Sequence, residues 1–167
     1  LTKQGHLVLV EAGAGHGAGY ADAHYREAGA TVVPAAADAW GADLVVKVKQ
    51  PLPPEYPYLR AGLLLYCYLH LAAEPELTKI LVTRGVSAVA AETIQAADGS
   101  LPALAPMSEI AGKMTLQVAA HYLSKYGGGA GKLLQGVVGV PPARVVILGG
   151  GTVGTAAARM ALGVGAQ

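Results

Sequence analysis

Short runs of β-branched and apolar residues alternate along this chain with stretches whose apolar positions recur every three or four residues. The runs His6–Val10, Thr31–Val33, Asp43–Lys49, Leu63–Tyr68, Ser87–Ala90 and Val145–Leu148 predict strands. Between them, Ala21–Ala28, Glu74–Thr83, Ser108–Lys125 and Thr152–Leu162 predict helices. The third of these takes Ser108 as its N-cap and carries an apolar stripe at Ile110, Met114, Val118 and Tyr122. Strand and helix in alternation is the pattern of βαβ units, so the expected fold class is α/β with a mostly parallel sheet. A Pro-rich loop at Gln50–Pro57 and a Gly-rich turn at Tyr126–Gly131, followed by Pro141 and Pro142, break the pattern. They divide the chain into an α/β unit over 1–107, a connecting helix over 108–126 and the start of a second α/β unit over 127–167.

Composition narrows the class. With 53% hydrophobic residues among 167 the chain can build a core, although 32 Ala and 23 Gly make about a third of it small. A charged fraction of 14%, a net charge of +1 and no run of Lys or Arg exclude a nucleic-acid footprint. The longest apolar stretch, Ala61–Ala73, holds His70 and falls short of the ~20 residues a membrane helix needs. The single Cys67 cannot form an internal disulfide and no leader-like segment opens the chain, which together point to the cytoplasm. The chain lacks Phe and Asn while holding 8 Tyr, a bias that fits an engineered or reconstructed sequence. It starts at Leu1 and stops at Gln167 directly after a predicted helix, as a piece of a longer polypeptide would.

The sharpest local signal is the run Val145-Val-Ile-Leu-Gly149-Gly-Gly151-Thr152-Val153-Gly154, an apolar strand leading through G-x-G-x-x-G into an Ala-rich helix. In that context Gly149 permits a tight turn, Gly151 lets the backbone approach a pyrophosphate, and Gly154 allows close helix–strand packing. The reading is the first β–α of a Rossmann nucleotide-binding domain, set against a plain Gly-rich turn. The acidic ribose ligand would stand ~20 residues further on, past Gln167. A second Gly-rich stretch, Gly13–Gly19, fails the spacing and reads as a flexible surface loop.

His70 ends a buried-looking strand, where doubly wound folds place ligands. An imidazole there suits proton transfer, or it is a core histidine bonded to a backbone carbonyl. Lys49 closes another apolar strand, either to hold a substrate carboxylate or as a solvated edge lysine, and alternation puts Lys47 on its face. Cys67 reads as a small core residue. His6, His16, His24 and His121 read as surface residues, with no metal-ligand spacing among them.

Five blocks stand in an order that resembles the alanine dehydrogenase/transhydrogenase family: Val46–Pro51, Leu69–Ala73, Ala91–Gln95 with Asp98-Gly99, Ala105–Gly112, and Leu148–Gly154. The resemblance covers nearly the whole chain. It implies an NAD-dependent enzyme converting L-alanine to pyruvate and ammonium, with a substrate domain, a Rossmann NAD domain and a homo-oligomeric assembly, often a hexamer. It implies that Lys49 binds the substrate carboxyl and carbonyl and that His70 is the acid/base. Glu92 and Met107 would line the substrate pocket. Ser108 would touch a cofactor phosphate, and Gly149, Gly151, Thr152, Val153 and Gly154 would hold the NAD. Absent from this sequence are the family's substrate-clamping arginine, ribose acid and later catalytic aspartate. Tyr66 and Tyr68 stand where Phe is usual and Ala91 where Tyr is common. The alternatives are the soluble NAD-binding part of a proton-translocating transhydrogenase and a non-catalytic, truncated or engineered α/β scaffold.

Overall fold

The computed structural model describes residues 1–167, which form two units, Leu1–Glu92 and Thr93–Gln167. In the first unit a short strand β1 (Leu9–Glu11) is followed by helix α1 (Asp22–Glu27) and strand β2 (Thr31–Val33), and the two strands pair in parallel with Leu9 opposite Thr31. Helix α2 (Ala36–Trp40) then leads to β3 (Leu44–Lys49), β4 (Leu64–Tyr68), helix α3 (Pro75–Arg84) and β5 (Ser87–Ala90). These last three strands form a parallel sheet in the order β3-β4-β5. The expected α/β class with parallel strands is therefore what the chain adopts.

Around the central strand the core is built by alternation with period two. Leu63, Leu65, Cys67 and Leu69 are all 1% exposed or less, while Leu64, Tyr66 and Tyr68 between them are not buried. Leu77 and Leu81 of α3 pack against that inner row, as does Trp40, whose ring stacks on Tyr58 at 5.8 Å. Arg60 ties the end of α2 to the sheet by donating to the carbonyls of Trp40, Gly41 and Ala42. Those orphan carbonyls at a helix C-terminus would otherwise need water. Cys67 is core, as its place in the strand predicts, and burial pushes its thiol up to about 11. At pH 8 only about one thiol in a thousand is then ionised. Native protein should accordingly resist iodoacetamide at that pH and label rapidly once unfolded; fast native labelling would show that β4 opens readily.

The second unit is organised by two helices, α4 (Ala105–Leu123) and α5 (Thr152–Gly163). The sequence expectation for the start of α4 is corrected, because Ser108 is not the N-cap. Its N–H donates to the Leu104 carbonyl, and the helix opens at Ala105 with Pro106 in its first turn. Proline is preorganised for that turn and costs no hydrogen bond there. Gly112 and Leu116 form the buried face of α4, whereas the stripe Ile110, Met114, Val118 and Tyr122 is exposed. Leu116 joins Leu134, Ala143, Ala157 and Ala161 in the core of this unit.

Close approach of α4 to α5 depends on small residues. A Cβ on Gly112 would stand 2.3 Å from the Val153 carbonyl oxygen and 2.7 Å from the Ala156 Cβ. Gly112→Val should therefore push the helices apart and cost about 1–3 kcal/mol, the range for overpacking. A thermal melt checks this, and an unchanged Tm would contradict the packing.

Val145–Leu148, predicted as a strand, joins no β-ladder; only Val145 is tied, through its N–H to the Gln167 carbonyl. The side-chain pattern of a strand is present, but a strand is made by successive hydrogen bonds to a neighbour, and here the pairing with Gln167 reaches only Ala143 and Val145. Val146 and Leu148 are exposed accordingly. No helix is long and apolar enough to cross a membrane.

Candidate functional site

The carboxyl ends of three adjacent parallel strands gather the chemistry of the first unit. Lys49 ends β3, His70 lies two residues beyond β4, and Glu92 lies two residues beyond β5. In such sheets the backbone groups past the last ladder bond face outward, which is why ligands bind there.

Lys49 and Lys47 do not share an environment as simple alternation predicts. The β3–β4 register shifts between Val46 and Lys49, so that Val46 pairs with Tyr66 but Lys49 with Tyr68. Such an irregularity re-aims side chains near the end of a strand. Lys47 is consumed structurally, ion-paired with Glu55 and lying 5.6 Å over the Trp40 ring. Lys49 is exposed and has no ion-pair partner, which leaves its ammonium available to an anionic ligand.

His70 has φ +52° and ψ +36°, the one non-glycine residue of the chain with positive φ. A left-handed conformation costs an ordinary residue about 1–2 kcal/mol and persists only where its surroundings impose it. Here the surroundings are visible. The Glu92 carboxylate accepts the His70 N–H at 2.7 Å and the Leu69 N–H at 3.2 Å, one on each oxygen. Each charge-assisted bond of this kind is worth about 1.5–3 kcal/mol, enough to offset the backbone cost. Burial pushes the Glu92 carboxyl up, but the N–H groups of Glu92, His70 and Leu69, together with the His70 charge, hold it below its ordinary value. Leu69 is buried while His70 is exposed, and the imidazole lies in a stacked arrangement with Tyr68 at 6.5 Å and 21°. His70 is thus not a core histidine. Only the family resemblance points to Glu92, as an acidic residue near the substrate pocket, because no linear pattern announces a carboxylate that serves another strand's backbone.

The second unit holds a cleft of about 570 Å³ between the start of α5 and the flank of α4. Ser108, Gly149, Gly151, Thr152, Val153 and Gly154 all line it, so the structure brings these expected cofactor residues together. Met107, 38% exposed, is not among the lining residues. Gly149 makes the turn at φ +99°, a conformation that favours glycine. A Cβ on Gly154 would stand 2.0 Å from the Gly149 carbonyl oxygen, so this third glycine is required by the protein itself. Around Gly151 nothing lies within 4 Å of the Cβ position, so the protein does not require a glycine there. That open lane beside the free N–H groups at the N-terminus of a 12-residue helix is what a pyrophosphate needs. The residues present fit a dinucleotide.

The earlier Gly-rich stretch is different. It lies at the surface but is tied down, with the Gly13 N–H donating to Asp22 at 2.8 Å. A Cβ on Gly15 would meet the Tyr25 hydroxyl at 2.3 Å, so this glycine serves packing.

Residues 1–111 match the model of the alanine dehydrogenase/PNT N-terminal domain and residues 115–167 that of the C-terminal domain. Alanine dehydrogenase 2 of Staphylococcus aureus strain USA300 is 54% identical over all 167 residues, which span 45% of its own length. A solved L-alanine dehydrogenase superposes with a TM-score of 0.91 at 54% identity, over 99% of this chain and 46% of that one. A transhydrogenase structure from Sinorhizobium meliloti superposes with a TM-score of 0.77 at 30% identity, over 99% of this chain and 49% of that one. The chain thus spans less than half the length of the curated relatives it matches.

Proposed function

Since this chain belongs to the alanine dehydrogenase/PNT family, we propose that it supplies the acid/base and phosphate-binding parts of an NAD-dependent alanine dehydrogenase, which oxidises L-alanine to pyruvate and ammonium. The observation that carries this reading is the placement of Lys49 and His70 at the carboxyl ends of neighbouring strands, with the lysine unpaired and the imidazole turned outward. In this reading residues 1–107 are a substrate domain, 108–126 a connecting helix and 127–167 the beginning of the NAD domain. The working assembly is a cytoplasmic homo-oligomer.

Each residue has a physical task. The Lys49 ammonium binds the substrate carboxylate and polarises the carbonyl that develops at Cα, an electrostatic contribution concentrated where charge appears. An imidazole nitrogen of His70 takes a proton from the attacking water and returns one to the departing amine. Met107 is a substrate contact in this reading, whereas the Glu92 carboxylate is engaged by the Leu69 and His70 N–H groups. Ser108 and the N–H groups of Thr152, Val153 and Gly154 hold phosphate oxygens, with Gly149 and Gly151 letting the backbone come close. Bound there, a nicotinamide dinucleotide supplies the hydride acceptor.

The transhydrogenase reading draws on the structural similarity at 30% identity. Exchange between two nicotinamides has no use for an amino-acid acid/base, so the exposed His70 and Lys49 weigh against it. The deciding experiment offers full-length protein L-alanine with NAD, and separately NADPH with an NAD analogue. Alanine-dependent reduction is expected; exchange between the nucleotides without alanine turnover would overturn the proposal in favour of the second reading.

A further inference from the structure

We propose that Glu92 is a positioning residue, whose carboxylate clamps the backbone N–H groups of Leu69 and His70 and so fixes the left-handed turn that presents the His70 imidazole. The inference rests on the proposed acid/base role of His70 and adds how that role is built.

Three observations converge on it. The first is that the chain's single left-handed non-glycine residue is also its candidate acid/base. A strained backbone that coincides with a reactive group is held by something, since a relaxed strand end would keep the side chain in the alternation of β4. The second is the pairing itself, one carboxylate oxygen to each of two successive N–H groups at 2.7 and 3.2 Å. Both N–H groups lie beyond the last ladder pair of β4, so no strand partner satisfies them. The third is that the clamp comes from the next strand's exit, so it also sets the His70 turn relative to the end of β5. A depressed Glu92 carboxyl keeps the clamp charged throughout the neutral range.

A Glu92 whose task was to bind substrate would use the remaining lone pairs of its two oxygens. The two roles therefore predict different kinetics. A substrate ligand moves KM, whereas a residue that aims the acid/base moves kcat.

The test is Glu92→Gln in the full-length protein. Glutamine offers one acceptor oxygen, and its NH₂ group cannot receive the second N–H. Expected are a fall in kcat for L-alanine of about tenfold or more with KM changed by less than about twofold. The crystal structure of the variant should show position 70 leaving the left-handed region or the imidazole displaced. Retention of the left-handed φ with the ring in place, or a raised KM at unchanged kcat, overturns the proposal. Should E92Q fail to fold, Glu92→Asp withdraws the carboxylate by one methylene: lengthened contacts with a lower kcat support the clamp, and wild-type kcat overturns it. If the wild-type protein does not oxidise L-alanine, the proposed function fails, and the φ of residue 70 in E92Q still decides for or against the clamp.

Discussion

Replacing His70 with asparagine is expected to lower kcat for L-alanine by ~10²–10⁴-fold, the usual contribution of a positioned general acid/base. Asparagine is the informative substitution because residue 70 sits at φ +52°, a region asparagine tolerates better than most residues. The variant keeps its N–H to Glu92, so the turn and the fold should survive while the imidazole is lost. Since the nucleotide turn lies in the second unit, affinity for NADH should stay within about twofold, the signature of a group that acts on the chemical step. Steady-state kinetics, a thermal melt and an NADH titration read these three quantities. A variant that retains more than about a tenth of wild-type kcat would remove His70 from proton transfer.

The glycine turn makes a paired prediction of similar size. At Gly151 φ is −70°, and a Cβ would meet nothing in the protein, so Gly151→Ala should leave Tm unchanged. The new methyl group enters the lane assigned to the pyrophosphate, and NADH affinity should fall by about 10–100-fold, each tenfold being about 1.4 kcal/mol. At Gly154 the order reverses. Its Cβ would stand 2.0 Å from the Gly149 carbonyl oxygen, so Gly154→Ala forces the turn and α5 apart. The expected cost is about 1–3 kcal/mol of stability, with binding lost as a consequence. Calorimetric titration beside a melt separates the two. If Gly151→Ala binds NADH like the wild type, the cleft by α5 does not hold the phosphates.

Where side-chain periodicity alone decides an element, the chain is readable without its structure. β2 and β5 lie where the sequence puts them, and β4 differs by one residue, because a run with Leu63, Leu65, Cys67 and Leu69 on one face can bury itself only as a strand. Prediction fails where a partner decides. Val145–Leu148 has the apolar pattern, yet beyond Val145 no backbone hydrogen bond draws it into a ladder. α2 escapes notice because Ala36–Trp40 is five residues long, and its reason to be helical is Trp40 docking in the core. The α4 stripe at Ile110, Met114, Val118 and Tyr122 is apolar in sequence, yet Gly112 and Leu116 are the buried positions. Glycine is chosen at 112 for space, a property no hydrophobicity pattern records.

The site follows the same division. Lys49, His70 and the glycine turn stand out as candidates because strand ends and G-x-G-x-x-G spacing are local features. The left-handed backbone at His70, the two-handed hold of Glu92 and the register shift that separates Lys49 from Lys47 come from contacts between strands. Those contacts turn three residue types into an arrangement with a direction: an unpaired cation, an outward imidazole and a carboxylate already committed to the backbone.

The fate of the Cα hydrogen tests the account most directly. Full-length protein given L-alanine deuterated at Cα, with NAD, should form pyruvate and ammonium and carry the deuterium into the reduced nicotinamide. Release of that deuterium to water, or recovery of unreacted alanine while the protein binds NADH normally, would contradict the assignment of Lys49 and His70 to amino-acid oxidation.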